Sequence, residues 1–171
     1  FSAKFVFSDF THWSGGHNAG FDDLIHTAQG ATCVFDVGAH IGLTTMPLAR
    51  LMKKGGLVVA FEPSFVNRSY LEWHLMANQF EQVMVFSEVV SDTVGDIVSF
   101  FEFDDVSGMN GLIGGRSKMR EAQVETTTID HVVAQLGRVP DLIKIDIEGA
   151  ELRCLKGARK LLFEHKPVIF L

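Results

Sequence analysis

The stretch Val34-Phe35-Asp36-Val37-Gly38-Ala39-His40-Ile41-Gly42 decides how this chain is read. An apolar strand runs into a turn carrying Gly38 and Gly42, and a helix-period segment follows. Gly38 permits a sharp turn and a close backbone approach to a ligand, because no Cβ intervenes. The helix behind it would aim unsatisfied N–H groups and the positive end of its dipole back at the crevice. In an open α/β sheet that crevice, beyond the carboxyl ends of the strands, is where ligands bind.

Outward from this turn the same alternation repeats. Apolar runs at Thr32–Phe35, Leu57–Phe61, Val83–Phe86, Leu142–Ile145 and Val168–Leu171 read as strands. Helix-period segments run from Thr44 to Lys54, from Ser64 to Ala77 and from Glu151 to Glu164, the last with an interior Gly157. Strands alternating with helices of this length predict an α/β fold with a mostly parallel sheet and helices on both faces. The rhythm breaks in the middle. Asp96–Phe103 and Gln123–Thr128 read as extra strands flanking the Gly-rich Ser107–Gly115, whose composition suits a surface connection more simply than a binding loop. Asp130 reads as the N-cap of a short helix ending near Leu136-Gly137. Phe5–Phe7 and a short helix over Phe21–Ala28 precede the first core strand.

The turn also discriminates between ligands. A dinucleotide site wants glycine at three places, and counting from Gly38 the other two hold His40 and Leu43. A bulky His40 would crowd a diphosphate, and Asp36 would repel one. S-adenosylmethionine carries no phosphate, and its amino-acid end bears an ammonium that a carboxylate welcomes. Glu62, closing the second strand in Phe61-Glu62-Pro63, lies about 20 residues beyond the glycine turn, where a carboxylate accepts from both ribose hydroxyls. Ser91-Asp92, after the third strand, is a candidate for the adenine edge, although Ser-Asp is equally a turn-forming pair.

A second polar concentration sits at the end of another core strand, in Asp141-Leu142-Ile143-Lys144-Ile145-Asp146-Ile147-Glu148-Gly149-Ala150-Glu151. Period-2 alternation puts Lys144, Asp146 and Glu148 on one side. Charges within an apolar strand resist desolvation, so they imply a polar crevice or mutual pairing. Asp146 is the first candidate to receive a proton from an acceptor and Glu148 the second, while Glu148 or Glu151 also suits the cap of the following helix. His40 is a further candidate base. No His/Asp spacing supports a metal.

Composition narrows the class. With 171 residues, 47% hydrophobic and 15 Phe, the chain is long and apolar enough for one packed core. Its formal charge of −6 argues against a nucleic-acid partner, and no apolar run approaches a membrane span. Cys33 and Cys154 sit in apolar patterns and read as buried thiols of a reducing, cytoplasmic compartment.

Taken together, Val34–Gly42 and Asp141–Gly157 resemble the FkbM family of S-adenosylmethionine-dependent methyltransferases. Phe61-Glu62-Pro63, Asn78, Ser91-Asp92 with Gly95, and Thr128-Ile129-Asp130 extend the likeness, which spans Thr32 to Leu171. It implies a Rossmann-like methyltransferase fold, S-adenosylmethionine as cofactor, and O-methylation of a hydroxyl on a sugar, polyketide or related small acceptor. It carries Asp36, Gly38, Ala39, Gly42 and Glu62 over as cofactor residues and places Asp146 near the transferred methyl. Residues 31–171 then form the methyltransferase domain. The sequence stops where a fifth sheet strand begins, which reads as a C-terminally incomplete domain, and residues 1–30 receive no role. An NAD-dependent oxidoreductase, a non-catalytic S-adenosylmethionine-binding or interaction domain, and N-methylation on the same scaffold are the competing readings.

Overall fold

The computed structural model describes residues 19–114 and 118–171. Five strands, β1 (Cys33–Val37), β2 (Leu57–Phe61), β3 (Val83–Phe86), β7 (Leu142–Ile145) and β8 (Val168–Phe170), form an all-parallel sheet in the order β3-β2-β1-β7-β8. β1 is central and buried along its whole length, as expected for a strand covered on both faces. The order reverses at β1, whose neighbours are β2 on one side and β7 on the other. The glycine turn therefore lies at the topological switch point of the sheet.

Alternate residues of these strands feed two cores. Val34, Val58, Ala60 and Leu142 pack with α1 (Ala19–Thr27), α2 (Thr45–Leu51) and α3 (Phe65–Ala77), through Leu24, Met46, Leu48, Leu71 and Leu75. Cys33, Phe35, Val37, Val59, Phe61, Ile143 and Ile145 pack against α4 (Ile129–Leu136), α5 (Glu151–Lys156) and α6 (Arg159–Glu164), through Ile129, Val132, Cys154 and Leu161. Both cysteines are buried and unbridged. A second sheet, ordered β4-β6-β5, is built from β4 (Val89–Val90), β5 (Ile97–Phe103) and β6 (Met119–Thr127). Among the described residues no helix is long and apolar enough to cross a membrane.

Several boundaries differ from the sequence expectation for identifiable reasons. β6 begins at Met119 rather than Gln123, because its polar first half is held by antiparallel pairing with β5 and by an ion pair from Arg120 to the buried Glu102. The expected helix from Glu151 to Glu164 breaks into α5 and α6 around Gly157. A Cβ there would overlap the Ser91 carbonyl oxygen, so the helix passes the β4 end only at a glycine. Asp130 is not the cap of α4. Thr128 holds that place, its Oγ1 accepting from His131 N at 3.1 Å. The Asp130 carboxylate instead accepts from Lys160 N and Leu161 N, both at 2.9 Å, and caps α6 from a distant part of the chain. The helix over Phe21–Ala28 is present as α1, whereas Phe5–Phe7 lies outside the described residues.

Candidate active site

Beyond the carboxyl ends of β1, β2 and β7 opens a cavity of about 320 Å³. Its wall is built from the glycine turn (Gly38, Ala39, His40), the β2 tip (Phe61, Glu62, Pro63), the β7 tip (Lys144, Asp146, Ile147, Glu148) and the Gly-rich segment. The turn is shaped by contacts within the protein. Gly38 has φ +82°, and a Cβ on it would overlap the Asp146 carbonyl oxygen. The N–H groups of Gly38 and Ala39 both donate to Phe61 O at 3.0 Å, which ties the turn to the β2 tip. Those two donors therefore serve the fold rather than a ligand.

Gly42 and Asp36 lie behind the cavity wall. Gly42, at φ +94°, leaves room for Leu71 of α3, so its role is packing. Asp36 is fully buried and accepts from Thr45 Oγ1 at 2.7 Å, while its other oxygen lies 3.2 Å from Lys144 Nζ. Its charge is thus already met, which corrects the expectation that it faces a ligand ammonium directly. Lys144 also donates to Gly38 O at 2.8 Å, joining the turn to β7. The strand charges expected to mark a crevice or a mutual pair do both.

Glu62 is where the sequence places it, on the cavity wall at the β2 tip. Its Oε2 accepts from His40 N at 2.8 Å and its Oε1 from Ser64 N at 3.0 Å. A carboxylate offers about four acceptor sites, so Glu62 retains capacity for a ligand donor. Burial pushes its carboxyl up to about 7, against the opposing pull of those N–H donors, Asn67 and Lys144. The bond from His40 N holds His40 in the left-handed region at φ 52°, unusual for a residue with a side chain.

At the β7 tip, Asp146 and Glu148 both line the cavity. The Asp146 side chain is 73% exposed, with its carboxylate 4.0 Å from Lys144 Nζ. Glu151 takes the capping role instead, its Oε1 accepting from Ile147 N and Gly149 N. Ser91 and Asp92 are not brought to the wall. Ser91 is buried and donates to Asp92, and the β4 side of the cavity is supplied by Glu88, Val89 and Val90. Among the described residues no group of His, Cys, Asp and Glu is arranged to hold a metal.

The Gly-rich segment is the main revision. Ser107, Gly108, Asn110, Gly111 and Leu112 line the cavity, so the segment is a wall of the site and not a plain connection. Asn67 of α3 clamps it, donating to Ser107 O at 2.9 Å and accepting from Ser107 N at 3.2 Å. Phe101 and Gly111 exchange backbone hydrogen bonds at 2.8 and 2.9 Å, and a Cβ on Gly111 would lie 3.9 Å from Glu148 Cβ. The strap thus spans from α3 to the β7 tip. Asn67, Glu88 and Asn110 are site residues that the sequence reading missed. Glu88 lies just past the end of β3, as Glu62 does for β2, so strand-tip position was a usable signal; Asn67 and Asn110 carried none.

An open parallel sheet with helices on both faces and a cavity carrying acidic side chains at its switch point defines a Rossmann-like fold, and similar solved structures are methyltransferases. A methyltransferase FkbM domain model matches residues 36–171, and the chain belongs to this family. A crystal structure of methyltransferase FkbM from Methylobacillus flagellatus KT is similar at 26% identity and a TM-score of 0.54, covering 82% of this chain and 32% of that one. The precorrin-6y C5,15-methyltransferase of Geobacter metallireducens GS-15 shares the fold at 12% identity and a TM-score of 0.56, covering 97% and 66%. So does a Bacillus cereus O-methyltransferase solved in complex with SAH, at 18% identity and 0.51, covering 85% and 52%. This chain therefore spans about a third of the length of the FkbM structure it matches. No curated protein matches it.

Proposed function

We propose that this protein binds S-adenosylmethionine in the cavity at the strand tips and transfers its methyl group to a hydroxyl of a small acceptor. The charge of the cavity wall carries this reading. Four carboxylates (Glu62, Glu88, Asp146, Glu148) line it against one ammonium, Lys144, which already faces Asp36. Such a wall disfavours the pyrophosphate of a dinucleotide and favours a cation. Membership of a methyltransferase family points to the same ligand. The wall is also chemically incomplete in a way that suits a polar guest: His40 Nε2 and Asn110 Nδ2 are buried without a hydrogen-bond partner.

In this reading Glu62 accepts from the ribose hydroxyls, Gly38 and Ala39 provide a close backbone surface, and Asp36 acts indirectly by holding Lys144 in place. Asp146 and Glu148 supply negative charge where the acceptor loses its proton. The cofactor, when bound, supplies a methyl group on a sulfonium, so the protein's task is alignment and proton removal. Asp146→Asn lowers turnover more than cofactor affinity. Calorimetry on the whole chain tests the reading: S-adenosylhomocysteine gives a binding isotherm and NADH gives none. No heat with S-adenosylhomocysteine, or displacement of it by NADH, sinks the proposal.

A further inference from the structure

The two unpartnered buried atoms in the cavity wall have complementary chemistry when the His40 ring carries its proton on Nδ1. Asn110 is fixed in orientation because its Oδ1 accepts from Phe103 N at 3.0 Å. The atom left over, Nδ2, is therefore a donor without an acceptor. The His40 backbone is held by Glu62, and its ring lies on the same cavity wall as Ser107 of the strap. In the Nδ1–H tautomer of the neutral ring, the buried Nε2 presents a bare lone pair. Burial lowers the pKa of the ring, and Lys144 lowers it further, which keeps it neutral at pH 7, while Asp146 and the Ser107 contact pull the other way. The other charged groups on the cavity wall are Glu62, Glu88 and Glu148.

One bare acceptor and one bare donor on a single cavity wall match a group that both donates and accepts. A hydroxyl does this; an ammonium only donates, and a carbonyl only accepts. We propose that His40 Nε2 and Asn110 Nδ2 form the subsite for the acceptor's hydroxyl, with Asn110 donating to the oxygen and His40 receiving its proton. This rests on the methyltransferase reading above and names the reacting group of the acceptor. During transfer the hydroxyl oxygen forms a bond to the methyl carbon, and the carbon–sulfur bond breaks with its electron pair left on sulfur. The proton passes from oxygen to His40 Nε2, so the positive charge moves from sulfonium to imidazolium and leaves to solvent afterwards. Asp146, the first candidate for the base from sequence, then assists through space by stabilising the imidazolium. Its side chain is 73% exposed and its carboxylate lies 4.0 Å from Lys144 Nζ, so solvent and that ammonium compete for it.

Nitrogen-15 NMR on the whole chain, labelled at its 7 histidines, tests the assignment. The His40 ring is identified by its loss in His40→Asn, a side chain that tolerates the left-handed backbone. At pH 7 it is expected neutral, protonated on Nδ1, with an Nε2 that saturating S-adenosylhomocysteine leaves unshifted. Methanol, used as the simplest hydroxyl probe, then shifts Nε2 toward its hydrogen-bonded value. Asn110→Asp, which keeps an acceptor for Phe103 N–H but removes the donor, abolishes that response. A proton on Nε2, an imidazolium at pH 7, an Nε2 that moves with S-adenosylhomocysteine alone, or indifference to methanol each overturns the subsite. Failure of S-adenosylhomocysteine to bind is read separately by calorimetry and removes the methyltransferase reading instead.

Discussion

Glu62 shows how much one residue can be asked to do. Its two oxygens hold the entry to α3 through Ser64 N and the left-handed His40 through His40 N, while facing the cavity. Its carboxyl is raised from 4.5 to about 7, chiefly by burial. The folded protein therefore holds this proton more tightly than the unfolded chain between those two values, and Glu62 lowers stability as pH rises through that window. Urea titrations from pH 5 to 8 should show that slope in the parent and lose it in Glu62→Gln. Ligand binding follows the opposite course. Ribose hydroxyls need the ionised acceptor, so affinity for S-adenosylhomocysteine should rise about tenfold from pH 6 to pH 8 and stay flat in the variant. A parent protein with pH-independent affinity would remove Glu62 from nucleoside binding. The Asp36–Lys144 pair offers a second residue-level outcome. Lys144→Met leaves a fully buried carboxylate without its cation, and chemical denaturation should report a loss of about 3 kcal/mol.

At the level of elements, the junction of α4, α5 and α6 is held by a non-local cap. α6 has no side-chain cap of its own, and Asp130 satisfies the N–H groups of its second and third residues. Asp130→Ala should cost about 1 kcal/mol, read as a fall in Tm of roughly 2–4 °C for a chain of this size. Asp130→Asn should recover most of it, since the amide oxygen still accepts. Equal losses in both variants would show that the capping geometry is not what stabilises the junction. The same junction explains why a single helix was expected over Glu151–Glu164. Helical periodicity runs through Gly157, and in the fold that residue passes against the Ser91 carbonyl while its own carbonyl accepts from Asp130 N at 3.0 Å.

For the whole molecule, the sheet and the strap divide the work. The sheet fixes the tips of β1, β2 and β7, and the strap closes the cavity from α3 to Glu148. Asn67 alone clamps Ser107 at both its N–H and its carbonyl. Asn67→Ala should therefore speed amide exchange across residues 107–112 while leaving β1 and β2 protected, and should weaken S-adenosylhomocysteine binding. Unchanged exchange in the strap would show that the Phe101–Gly111 pairing holds it without Asn67.

The α/β class, the five parallel strands, the glycine turn and the acid-bearing tips of β2 and β7 were legible in the sequence, because each rests on short-range signals. Apolar periodicity, glycine placement and a capping Ser64 act within a few residues of themselves. The family likeness drew on the same local segments. What the sequence could not reveal is which group each charge or amide meets. Asp36 finds Lys144 only because β1 and β7 are neighbours in the sheet, Asp130 finds α6 across the α4 junction, and Asn67 reaches a glycine-rich segment far along the chain. Those partners are selected by distance in space, and desolvation makes the selection binding: a buried polar group must take whatever complementary atom packing brings within reach.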